Sequence, residues 1–137
     1  MSRVINIDSA GKERNRLVKG IVLAIRELAN QTQPDDTTRD LLAFICLALA
    51  AISETIEPSV AAWEKRGYWV KADRFRMEWV WSGSYAKELR KALLEEDWGT
   101  IAKIVAQVGG RLAHVKVSNN HRMGKPWIGA WNKLLPG

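Results

Sequence analysis

Apolar positions recur at steps of three and four along most of this chain, and the segments they mark are helix-sized pieces separated by short polar clusters. Leu17, Ile21, Ala24, Ile25 and Leu28 fall on one face of a first helix, which Ser9 is placed to cap and which runs to about Asn30. Gln31 to Asp36 is a polar loop. Thr37, with Asp40 three residues on, has the form of a capping box with Asp in place of Glu, and it opens a second helix through Ile56. This helix is apolar on nearly every side, with an unbroken run from Leu41 to Ile52, and therefore belongs at the centre.

Pro58 suits the first position of a third helix that continues past Gly67 to about Trp81. Along it Trp63, Val70, Arg74, Met77 and Trp81 form one stripe, and Ala61, Tyr68, Ala72, Phe75 and Trp79 a nearly opposite one. Two apolar stripes suit a helix packed between two neighbours, or one that leaves a stripe for a partner. Ser82 to Ser84 reads as a break, with Ser84 capping a fourth helix over Tyr85 to Leu94. Asp97 caps a fifth from Trp98 to about Val108, which Gly109-Gly110 ends or interrupts. Residues 111–117 suit another helical turn or two or a short extended piece, 118–124 a loop, and Pro126 the start of a short last helix with Trp127, Trp131 and Leu134 on one side. With no sustained alternation and no Asn-Gly turn, the expected fold is all-α: a compact helical bundle of about five longer helices plus a short C-terminal helix. It spans residues 1–137 as one domain that ends in a basic segment from 111.

Hydrophobic residues at 47% and charged residues at 26% are ordinary for a globular chain and exclude general disorder. The Leu41 to Ile52 run is well short of the roughly 20 residues a spanning helix needs, so it reads as core, with no membrane partner. Met1 to Asp8 lacks the apolar stretch of a signal peptide, and the single cysteine, Cys46, permits no internal disulfide; both point to the cytoplasm.

Charge adds the most specific clue. Residues 1–97 hold fifteen Lys/Arg and fifteen Asp/Glu, whereas residues 98–137 add Lys103, Arg111, Lys116, Arg122, Lys125 and Lys133 with no carboxylate side chain. The whole excess of +6 is therefore local, and three of the seven tryptophans lie in the same stretch. Cations that meet phosphates and flat rings that stack on unpaired bases are what nucleic-acid binding requires. The candidates are Arg111, Lys116, Asn119, Asn120, His121, Arg122, Lys125 and Trp127, although they form no named recognition motif. The bland alternative is a solvated basic tail anchored by its tryptophans.

The other candidates lie on the third helix. Arg74, Trp63, Trp79 and Trp81 could form a protein-partner or self-association surface, with Arg74 either paired to Glu54, Glu57 or Glu78, or open to solvent beside Lys65, Arg66 and Lys71 as a phosphate ligand. Glu54-x-x-Glu57 resembles the first half of the metal-binding motif of the all-α nucleotide pyrophosphohydrolases. That likeness implies a Mg²⁺-dependent hydrolase, but the second half, Glu-x-x-Asp on a following helix, is absent. In size and charge the chain is also similar to small helical subunits of RNA-guided defence complexes. His114 and His121 have no zinc or di-iron spacing, Cys46 has only apolar neighbours, and no cofactor is expected. The leading expectation is a non-catalytic nucleic-acid-binding or accessory protein, followed by an interaction or oligomerisation module and then by the hydrolase.

Overall fold

A computed structural model describes residues 7–135; the expectation for Met1 to Asp8 falls almost wholly outside them. The described chain is all-α, as expected, with five longer helices and a short one: α1 Ile7–Leu28, α2 Asp36–Lys65, α3 Trp69–Trp79, α4 Trp81–Leu94, α5 Trp98–Arg111 and α6 Ala130–Leu134. Helix α2 is the axis, packed against α1, α3, α4 and α6. Leu41, Ile45, Leu49 and Ile52 are fully buried in it, and they join Ile21, Leu89, Ile104 and Val108 in the main core. By length and composition α2 could cross a membrane, but most of its apolar stretch is buried inside the bundle, as in a core helix. A smaller cluster of Ile56, Val60 and Ala72 seats α3 on the far end of α2.

Several boundaries differ from expectation. Ser9 lies inside α1, which already begins at Ile7. The cap of α2 is Asp35, whose Oδ1 accepts from the Thr38 amide at 3.0 Å, so Thr37 and Asp40 form no capping box. Pro58 does not begin a helix but lies within α2. It removes the amide that would bond the Glu54 carbonyl, and Glu54 is exposed, so that carbonyl lies on the solvent side of the helix. Buried Ile56, Ser59 and Val60 hold the following turn against the body, and the hydroxyls of Thr55 and Ser59 bond the Ile52 and Thr55 carbonyls at 2.6 and 3.2 Å.

Helix α2 instead ends at a left-handed Gly67 (φ 81°), where the Gly67 amide donates to Glu64 O and the Tyr68 amide to Trp63 O, both at 2.9 Å. This is a Schellman ending, and the expected third helix is thereby split between α2 and α3. The expected break at Ser82 to Ser84 occurs earlier, at Val80. Ser82 Oγ and Trp81 Nε1 donate to the Trp79 and Glu78 carbonyls, each at 2.7 Å, and so satisfy the end of α3. Gly83 lets α4 approach α2, since a Cβ there would lie 2.8 Å from Ser53 Oγ. Asp97 caps α5 as expected, accepting from the Thr100 amide at 3.2 Å, and the helix runs through Gly109-Gly110 to Arg111. The last helix starts at Ala130, after a left-handed Gly129, and not at Pro126.

Candidate functional site

The C-terminal segment does not hang free. From Val115 to Leu134 it forms a strap, with Val115, Val117, Met123, Trp127, Ala130, Trp131 and Leu134 packed on the main core. Met123 reaches α1 at Gly20, and Arg26 Nη2 donates to the Val117 carbonyl at 3.0 Å. At its far end the strap is held by Asp40, whose two carboxylate oxygens accept from the Gly129 and Trp131 amides at 3.1 and 3.0 Å. Asp40, expected as the second member of a capping box with Thr37, thus holds the start of α6 across 91 residues of sequence.

Lys103, Arg111, Lys116, Arg122, Lys125 and Lys133 are all exposed, and none forms an ion pair among the described residues. Asn119 and Asn120 are exposed in the loop between them, where the Asn120 amide donates to Ser118 Oγ. His121 is half-buried, its Nδ1 accepting from the Met123 amide at 3.3 Å. Trp127 corrects the expectation of a stacking ring: it is 7% exposed, in the core, with no face open to a base.

Arg111 lies outside the strap, apart from the candidate cations Lys116, Arg122 and Lys125 that the strap carries. It leaves the end of α5 with its guanidinium 5.3 Å from the Trp81 ring and 5.9 Å from Tyr85. Stacking fixes the guanidinium plane without engaging its N–H donors, which stay available to an anion. Arg111 also lines a cleft of about 270 Å³ with Glu78, Trp79, Trp81, Leu112 and His114. The structure therefore joins one residue expected to bind nucleic acid to two expected to meet a partner.

The partner-surface residues separate. Trp81 is buried, stacked on Trp79 at 5.9 Å, and Trp63 packs edge-on to Phe75 at 5.2 Å. Trp63 and Trp81 share no stripe, because they belong to different helices. Arg74 is exposed and in no ion pair among the described residues; Arg76, two positions on, takes the carboxylates of Glu57, Glu64 and Asp73. The stripe of Ala72, Phe75 and Trp79 packs inward, while Val70 and Met77 face outward with Trp69 and Val80, each more than half exposed.

A half-buried arginine set against the inward rings of α3 is Arg14 of α1, which neither charge balance nor motif spacing singles out. Its guanidinium lies 4.6 Å from the Phe75 ring and 5.7 Å from Trp79, and it donates to Thr55 Oγ1 at 3.1 Å. Burial pulls its pKa below the ordinary arginine value, and the charge of Glu78 partly opposes that. A signal for it does exist, since Arg14 precedes Leu17 and Val18 by three and four residues on the inward face of α1.

Glu54 and Glu57 are exposed, and no group of three or more His, Cys, Asp or Glu side chains among the described residues is arranged to hold a metal ion. Burial pushes the Cys46 thiol up to about 11, and its Sγ lies 3.3 Å from the Ala86 carbonyl, so it is a poor nucleophile. A larger groove, about 480 Å³ between α1 and α5, is lined by no titratable side chain among the described residues. No protein-family model matches the chain, and comparison with curated proteins and with solved structures finds no match.

Proposed function

We propose that this is a non-catalytic, cytoplasmic nucleic-acid-binding protein, an accessory helical bundle that meets phosphates with its C-terminal strap. One observation carries the reading: six cations over residues 98–137 are exposed, with no carboxylate in their own stretch and no ion pair elsewhere among the described residues. Cations without carboxylate partners release bound counterions when they meet a phosphate backbone, and that release drives sequence-independent binding. Because Lys116, Arg122 and Lys125 ride on a strap held by Asp40, Arg26 and the core, they are presented from an ordered backbone. Binding to oligonucleotides should weaken linearly in log-log as salt rises, and replacing Arg122 and Lys125 by alanine should flatten the slope by roughly one for each phosphate the protein no longer meets. Absence of binding at low salt refutes the reading.

The outward face of α3 favours a second reading, a protein-partner or self-association surface. Trp69, Val70, Met77 and Val80 share one side and are each at least 60% exposed, more apolar area than a lone surface side chain presents. Sedimentation should then show an oligomer that Met77→Asp dissociates; a monomer at high concentration counts against self-association.

A further inference from the structure

The turn between α2 and α3 carries a second set of cations, and here the rings are open. Lys65, Arg66, Lys71 and Arg74 are exposed and in no ion pair among the described residues, and Tyr68 and Trp69 between them are 52% and 60% exposed. The nearby carboxylates do not quench this charge. Arg76 gathers Glu57, Glu64 and Asp73 at 3.3–4.0 Å, and residues 57–76 hold five cations against three carboxylates. The backbone is set independently of the rings by the left-handed Gly67 and its two flanking hydrogen bonds, while Ala72 and Phe75 seat α3 on α2. Lys71 Nζ lies 5.4 Å from the Tyr68 ring, so a cation accompanies a stacking face.

We infer that this elbow is a base-stacking site for single-stranded nucleic acid, in which Trp69 and Tyr68 take unpaired bases and Lys65, Arg66, Lys71 and Arg74 meet the flanking phosphates. The inference rests on the nucleic-acid reading and gives it a strand preference that the strap, with Trp127 buried and Trp131 packed half-buried on the core, does not supply. Stacking is open to every base, so the site is sequence-tolerant; duplex bases, stacked on one another, offer it no face. A lipid surface fits less well, because the exposed carboxylate of Asp73 lies among the apolar positions of the outward face, where it would meet an anionic headgroup.

The test compares wild type, Trp69→Ala and Trp69→Phe for binding to an oligothymidylate and to a duplex of equal length at low salt. Trp69→Ala should weaken oligothymidylate binding roughly tenfold and leave duplex binding unchanged, and Trp69→Phe should restore most of the loss. Thermal melts should coincide with wild type, since the ring is exposed. Equal loss on both nucleic acids, or loss on neither, overturns the inference. So does a Trp69→Ala defect confined to phosphatidylserine vesicles. If Arg122→Ala/Lys125→Ala lowers duplex affinity while the Trp69 difference is absent, the elbow fails and the strap stands. If the Trp69 difference appears and the strap variant is unaffected, the strap fails and the elbow stands.

Discussion

The strap over residues 115–134 and the elbow around Gly67 both set tryptophan among unpaired cations, yet the rings end in opposite environments. Trp127 is 7% exposed and Trp69 60%. The difference follows from what else holds each backbone. The strap has no helix of its own before Ala130 and is fixed by burying side chains, so its rings are consumed as anchors. The elbow joins two helices already packed on each other and is closed by its own hydrogen bonds, so its rings need not be buried. A tryptophan beside cations is therefore free for a ligand only where the backbone has another source of order.

The largest expected effect breaks this comparison if it is wrong. Trp127→Ala should destabilise the fold by about 3–5 kcal/mol, in the range for a buried aromatic, whereas Trp69→Ala should stay within about 0.5 kcal/mol. Urea melts of the two variants decide it; equal losses would mean that the rings do equivalent jobs. Next in size is Asp40→Ala, which removes both acceptors for the Gly129 and Trp131 amides and should cost about 2 kcal/mol. Limited proteolysis of that variant should cut first between residues 118 and 135 and spare the elbow.

Two of the left-handed turn positions, Gly67 and Glu96, should respond in opposite directions. Gly67→Ala puts a side chain at φ 81° and should cost about 1 kcal/mol, loosening the elbow. Glu96, at φ 54°, is a non-glycine residue at the same kind of helix ending, and Glu96→Gly should stabilise by about 1 kcal/mol, less the weak pairing with Arg39 that it forgoes. The smallest effect is on pH dependence. Hydrogen bonds from Thr100 and Thr38 lower the pKa values of the caps Asp97 and Asp35. A lowered folded-state value gives stability that is present above the ordinary aspartate pKa, near 4, and lost as pH falls through the lowered values. An acid titration of the melting temperature should show this loss diminished in Asp97→Ala.

How far the sequence reveals this molecule depends on whether local or distant contacts decide. Apolar periodicity is local to a helix, and α1, the core of α2 and the Asp97 cap of α5 are all discernible from it. Pro58 misleads because its helix-breaking tendency is a local property, overruled by the burial of Ile56, Ser59 and Val60. Gly83 reads as punctuation yet serves the close approach of α4 to Ser53, a neighbour 30 residues away that no local pattern shows. Asp40 has the spacing of a capping box but answers to amides at the other end of the chain. Among the candidate site residues, the exposed cations are evident from charge alone. The fates of the rings are not, since apolar spacing places Trp63, Trp69, Trp79 and Trp81 on helices but does not say which neighbour covers them.

The most direct test of the contrast between strap and elbow replaces the tryptophans with fluorotryptophan, assigns the signals of Trp69 and Trp127 by single Phe substitutions, and follows the fluorine spectrum as oligothymidylate is added. The Trp69 signal should shift and broaden with titration while the Trp127 signal stays in place. Movement of Trp127 with Trp69 unchanged, or no movement of either at saturating oligonucleotide, would contradict it.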